Sequence, residues 1–332
     1  MNDLNMNPCT LCPRECKVNR EIGNIGYCHE DKSVKLARAA LHMWEEPCIS
    51  GYIEDSPFKD LTLQGSGAVF FSGCNMGCIF CQNKEIASGE VGKEVSVERL
   101  AEIFLELQEK KTLNINLVTP SHYVPQIISA LDIAKRNGLT SPIVYNTSSF
   151  EKVETLKALE GYIDVYLPDF KYMSSDLASR YSFAPTYPDI AKEAIREMVR
   201  QQPKTRFYSA GNISSTSNAD HISFFEEYDS GLIIQKGVIV RHMILPGCTE
   251  DSKRIIKYLY ETYHDSIYIS IMNQYTPLEH VSDYPEINRT VTSEEYDEVV
   301  DYAIDLGVEN GFIQEGETQS ESFIPTFNYE GV

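Results

Sequence analysis

No apolar run in this sequence approaches the roughly 20 residues that a membrane-crossing helix needs, and the opening residues Met1 to Pro8 lack a basic stretch followed by an apolar one. Neither a membrane span nor an export signal is expected, and the expected compartment is the cytoplasm. Basic side chains are scarce: 29 Lys and Arg stand against 49 Asp and Glu, a formal net charge of −20. That balance opposes attraction to a phosphate backbone, so a nucleic-acid substrate is not expected. No repeat of roughly 20 to 50 residues recurs, which argues against a solenoid. Tryptophan occurs once, at Trp44.

What is present is enough apolar residue for a substantial core, 42% of 332 positions, room for one large α/β domain or two ordinary ones. Nine cysteines would suggest disulfides in a small secreted chain. Here they cluster at metal spacings in a chain without an export pattern, so thiolate ligation is the better reading.

The most informative stretch is Phe71 to Asn83, where Cys74, Cys78 and Cys81 stand in C-x3-C-x2-C spacing directly after the apolar run Ala68 to Phe71. A strand entering a tight loop can wrap a metal centre. Three thiolates this close converge on one inorganic cluster and leave the fourth iron of a cubane without a protein ligand. A zinc knuckle or a disulfide loop is the plainer alternative, but zinc loops usually bring paired C-x2-C units that sum to four ligands. A second constellation, Cys9, Cys12, Cys16 and Cys28, reads C-x2-C-x3-C-x11-C with Pro13, Gly23 and Gly26 between. Four thiols make a closed set, either structural zinc or an auxiliary iron–sulfur cluster. Cys48 stands apart and reads either as a buried thiol or as a neighbour of a cluster or the substrate.

Beyond the first cluster loop, strand and helix periods alternate. Strands are expected at 114–119, 142–147, 163–167, 238–245 and 267–272. Helices are expected after Ser96, over 124–136, 150–159, 175–181, 189–201 and 252–263, and from the capping box Thr292-x-x-Glu295 to Gly307. The polar stretch from Pro203 to Asp229 reads as a surface loop long enough to be a lid or insertion. Counted from Ala68, six strand–helix units argue for a parallel sheet with helices outside, too few to close an eight-fold barrel. The expected fold is α/β, an open partial (β/α)6 TIM-type barrel over 61–332, preceded by a cysteine-rich extension over 1–60. Ligand groups in such folds sit past the carboxyl ends of strands. There stand Thr119-Pro120-Ser121-His122, Asn146-Thr147-Ser148, Asp169-Phe170-Lys171 and Asn273-Gln274-Tyr275.

The cysteine spacing, the aromatic Phe80 before the last cysteine and Gln82-Asn83 after it resemble the signature of radical S-adenosylmethionine (SAM) enzymes. That resemblance implies a partial barrel, a 4Fe–4S cluster on Cys74, Cys78 and Cys81, and SAM chelated by the open iron. Reductive cleavage of SAM would give a 5'-deoxyadenosyl radical that abstracts hydrogen from a substrate. Further stretches, Leu11-Cys12-Pro13-Arg14, His42-x-Trp44-Glu45-Glu46-Pro47-Cys48, Tyr145-Asn146-Thr147, Pro168-Asp169-Phe170-Lys171 and Arg241 to Gly247, resemble the branch of pyruvate formate-lyase activating enzyme homologues with a cysteine-rich N-terminus.

By that resemblance Asn146 and Thr147 would lie near the ribose or methionyl part of SAM, Asp169 and Lys171 would line the pocket, and Arg241 would contact the cofactor. Asn116 to Pro120 stands where the activases carry Gly-Gly-Glu, so Thr119 is the substitute for their amino-group contact. The plain alternative for Lys171 and Arg241 is ion pairing with acidic neighbours. The implied partners are an electron donor such as flavodoxin or ferredoxin and a glycyl-radical protein. Radical modification of a peptide or small molecule, and a non-enzymatic iron–sulfur or zinc module, stay open at this point.

Overall fold

The computed structural model describes residues 4–51, 65–209, 232–314 and 325–332. In chain order the elements are β1 Val34–His42, α1 Pro47–Ser50, β2 Ser66–Phe71, α2 Lys84–Ala87, β3 Lys93–Val95, α3 Val97–Glu109, β4 Ile115–Val118, α4 Val124–Arg136, β5 Ile143–Thr147 and α5 Val153–Ala158. They continue with β6 Val165–Pro168, α6 Ser175–Ser182, α7 Tyr187–Gln201, β7 Arg206–Ser209, β8 Leu232–Met243, α8 Thr249–Tyr263, β9 Tyr268–Met272, α9 Ser293–Leu306 and β10 Gly311–Ile313.

One sheet runs β10-β9-β8-β6-β5-β4-β2-β1-β3, with β7 paired to β8 off this path. The pairs from β2 through β10 along this path are parallel, while β1 runs antiparallel to β2 and β3 antiparallel to β1. The sheet is thus mostly parallel and open, with the six expected parallel strands and a seventh, β10, beside β9. Two findings alter the sequence reading. Val34–His42, assigned above to the extension, is a strand of this same sheet. Residues 206–209, expected within a loop, pair with β8, and the remainder of that loop lies outside the described residues.

The alternation of side chains along each strand sorts the molecule into two cores. Val69, Phe71, Ile115, Leu117, Tyr145, Tyr166, Val238 and Val240 belong to the large cluster under the helices. Their neighbours Ala68, Phe70, Val118, Val144, Val165, Leu167 and Ile239 belong to two smaller clusters inside the barrel. On the outer face α3 buries Leu100, Ile103, Phe104 and Leu107 at helical spacing, and Ser96 Oγ accepts the Arg99 amide at 3.1 Å as N-cap. The capping box that opens α9 is made by Thr292 and Glu295, and Gly307 ends the helix at φ 92°, where a Cβ would be strained.

Candidate active site

On three strands the inward series ends in a polar residue where the apolar filling stops. After Val144 on β5 comes Asn146; after Leu167 on β6 comes Asp169; after Ile239 on β8 comes Arg241. A cavity of about 250 Å3 opens at these carboxyl ends, and its walls include Cys74, Cys78, Cys81, Thr119, Asn146, Thr147, Asp169, Lys171 and Arg241. Every residue singled out from the sequence for the cluster and for SAM therefore faces one space.

The three thiols stand on the loop that follows β2. Gly73 (φ 86°) starts the loop, and a Cβ there would lie 2.5 Å from the Cys28 carbonyl oxygen, so only glycine lets the two backbones meet. The loop is pinned by Ile79 N donating to Tyr181 O at 2.9 Å and by Gln82 Nε2 donating to Gln274 O at 2.8 Å. Ser182 Oγ donates to Cys78 Sγ at 2.9 Å. Burial raises the Cys78 thiol, with Lys171 pulling the other way. Burial, then repulsion from Cys74 and Cys78, pushes Cys81 up to about 12. Such crowded thiols cannot all ionise without a cation between them, and the donor set fits an iron–sulfur cluster that would supply it.

The cavity floor is an ion-pair network. Arg241 donates to Glu45 Oε2 at 2.9 Å through Nη1, to Asp169 Oδ1 at 2.9 Å through Nε, and to Asn146 Oδ1 at 2.6 Å through Nη2. Lys171 Nζ donates to Asp169 Oδ2 at 2.8 Å. Glu45 Oε1 accepts from Asn116 at 2.9 Å and Asn146 at 3.2 Å. Both cations thus make the ion pairs anticipated as the plain alternative, and both also line the cavity. Burial would raise the Asp169 carboxyl, but Arg241 and Lys171 overcome it and hold it below the usual range. Cations, amides, hydroxyls and a carboxylate on one wall fit the carboxylate, ribose and amino groups of SAM.

Glu45 entered the sequence analysis only within the stretch His42 to Cys48 that resembles the activase homologues, with no role of its own. It lies on the segment between β1 and β2. His42 and Trp44 line the cavity beside it, Trp44 being 53% exposed. Cys48 lies in the inner core with Val144, Leu167 and Ile239, a buried thiol away from the cavity wall. Thr119, at the end of β4, holds φ 59°, a left-handed conformation rare outside glycine, with its amide donating to Asn146 O at 3.0 Å.

Behind the cluster loop lie the other four cysteines. Cys9, Cys12 and Cys28 are buried and Cys16 is half-buried. Burial pushes Cys12 up to about 12 and Cys28 to about 11, with repulsion from neighbouring cysteines of the set adding to each.

Residues 68–210 match the family model described as the Radical SAM superfamily. An uncharacterized protein of Methanocaldococcus jannaschii is 27% identical over 308 residues, which cover 89% of this chain and 74% of that protein. Among solved structures, a domain of pyruvate-formate lyase-activating enzyme from Bacteroides vulgatus matches with a TM-score of 0.37 and 14% identity, over 58% of this chain and 92% of that one. Streptococcus suis SuiB bound to S-adenosylmethionine matches with a TM-score of 0.46 and 14% identity, over 73% of this chain and 48% of that one. SuiB bound to its precursor peptide SuiA matches with a TM-score of 0.44 and 14% identity, over 73% and 46%. The chain spans about half the length of the SuiB chains. The stretch that carries the three thiols and the strand ends from β2 to β6 is a radical SAM superfamily domain.

Proposed function

We propose that this chain holds a 4Fe–4S cluster on Cys74, Cys78 and Cys81, binds SAM against Thr119, Asn146, Thr147, Asp169, Lys171 and Arg241, and abstracts hydrogen from a protein or peptide. The leading case is a glycyl radical made on a partner protein. The carrying observation is the single cavity shared by the three thiols and the charged strand ends. When bound, the cluster supplies the electron that cleaves SAM; the residues of the chain bind, orient and exclude water.

Lys171 and Arg241 supply positive charge for a carboxylate, and the amide of Asn146 and hydroxyl of Thr147 suit ribose hydroxyls. Asp169, kept ionised by its two cationic neighbours, suits an ammonium group. The motif resemblance to the activases supports the protein substrate, and the net charge of −20 argues against a phosphate-rich one. Radical modification of a peptide is the second reading, favoured by the half-exposed Trp44 at the cavity wall, a surface on which a chain segment could rest. Either reading needs a one-electron donor such as flavodoxin or ferredoxin.

The test is anaerobic reconstitution followed by reduction with SAM. The parent chain is expected to form 5'-deoxyadenosine, and the variant Cys74→Ala/Cys78→Ala/Cys81→Ala to form none. Equal product from both would refute the assignment. Electron paramagnetic resonance with candidate partners then separates the substrates: a glycyl doublet on a partner supports activation, whereas deuterium arriving in 5'-deoxyadenosine from a labelled peptide supports peptide modification.

A further inference from the structure

We propose that Cys9, Cys12, Cys16 and Cys28 hold a thiolate-bound metal centre, with Arg20 as its buried counter-charge, set directly behind the loop of Cys74, Cys78 and Cys81. The centre itself stands apart from the SAM reading above, whereas the brace and the iron count of the parent rest on the loop cluster of that reading.

The first observation is convergence. A Cβ built at Gly26 would lie 3.3 Å from Cys16 Sγ and 3.4 Å from Cys28 Sγ, so these sulfurs flank one glycine that leaves them room. Cys9 Sγ is 4.0 Å from Arg20 Nη1, and Arg20 also bears electrostatically on Cys28. Among the described residues no three Cys, His, Asp or Glu side chains are gathered at the spacing of a single bound ion. Metal binding therefore has to draw the sulfurs together.

The second observation is the charge. Arg20 is fully buried, yet among the described residues no carboxylate pairs with it; it donates to the Asp31 carbonyl through Nε (3.1 Å) and Nη2, and to the His122 carbonyl through Nη1 at 2.7 Å. A guanidinium in such a place is costly unless net negative charge lies beside it. Four thiolates around a metal cation or a cubane supply that charge, and neutral thiols do not.

The third observation is position. The Cys28 carbonyl accepts the Cys74 amide at 3.2 Å. From the turn between Cys12 and Cys16, Arg14 donates to Asn75 O and Met76 O, both at 2.8 Å, and to Phe183 O at 2.6 Å, with its guanidinium 3.9 Å over the Tyr27 ring. The second centre thus braces the backbone on which Cys74 and Cys78 stand, and Arg14 is a positioning residue for that loop.

The test is metal and sulfide analysis of the full chain purified anaerobically. The variant Cys74→Ala/Cys78→Ala/Cys81→Ala is expected to keep one centre, seen as about one zinc or about four irons with sulfide. Adding Cys12→Ser/Cys28→Ser should remove it. Zinc and iron distinguish the two kinds of centre; a folded triple variant with no metal beyond the five-fold variant overturns the proposal. If the triple variant shows no cooperative unfolding, the parent decides: about four irons and no zinc overturns it, and more metal supports it. The brace is read separately, because Arg14→Met should speed chelator removal of the loop cluster several-fold, and an unchanged rate would reject it.

Discussion

Replacing Arg241 by Met should destabilise the chain by about 3 kcal/mol, the low end of the cost of breaking a buried ion pair by deleting one partner. The ends of the network set that value. Arg241 and Glu45 are 13% and 8% exposed, and Asp169 is 18% exposed, so solvent screens the pairs little. Without Arg241, Asp169 keeps Lys171 at 2.8 Å, whereas Glu45 keeps only the amides of Asn116 and Asn146. The uncompensated charge therefore falls first on Glu45, which is hydrogen-bonded to Arg241, and then on buried Glu46 beside it, which loses the same cation. Adding Glu45→Gln to Arg241→Met should recover about 1–2 kcal/mol, while adding Asp169→Asn should recover less, because it frees Lys171 in turn. Urea unfolding of the metal-free chain followed by circular dichroism reads all three variants, with the wild-type slope as the check on two-state behaviour. A cost for Arg241→Met under about 0.5 kcal/mol, or a larger rescue by Asp169→Asn than by Glu45→Gln, would refute the argument.

Two further outcomes follow from the same geometry. Glu151 is fully buried, and burial raises its carboxyl to about 7 against the hydroxyls of Ser121, Thr147 and Tyr145, which lower it. Since the folded chain holds this proton more tightly than the unfolded one, its contribution is complete below about pH 4.5 and is lost as pH rises through about 7. Glu151→Gln should flatten that decline by roughly 2.5 kcal/mol in unfolding measurements from pH 5 to 8; an unchanged pH slope would sink it. Trp44, the only tryptophan, stands on the cavity wall, so SAM should change its emission in the reconstituted chain and Trp44→Phe should abolish the change. A SAM-dependent signal surviving in Trp44→Phe would place its origin elsewhere.

Much of this was legible because local chemistry and tertiary structure agree. The helix 124–136 ends where Asn137-Gly138 predicts, and the capping box at Thr292 opens α9 as written. What was not legible depended on partners distant in the chain. Val34–His42 holds three Ala and two Leu, good helix formers, and becomes a strand because β2 pairs along it from Leu36 to His42. The three residues of β10 carry too little pattern to be read and take their register from β9.

Glu45 shows why the site itself resisted a reading from sequence. It lies 196 positions from Arg241, and nothing around it marks a carboxylate as the partner of a strand end. The local signal was present in another form: β1 leads into Met43 to Gly51, and Ser50 Oγ donates to the carbonyls of Met43 at 3.2 Å and Glu45 at 3.0 Å, folding this segment back on itself. Asn114 Nδ2 then donates to Ile49 O at 2.8 Å and ties α1 to the start of β4. With Cys48 and Ile49 filling the inner core below, Glu45 is carried to the level of Asn146 and Arg241. The stretch that joins the cysteine-rich N-terminus to the sheet is thus also the floor of the cavity, and a change in its packing would be felt at Arg241 before it reached the cluster loop.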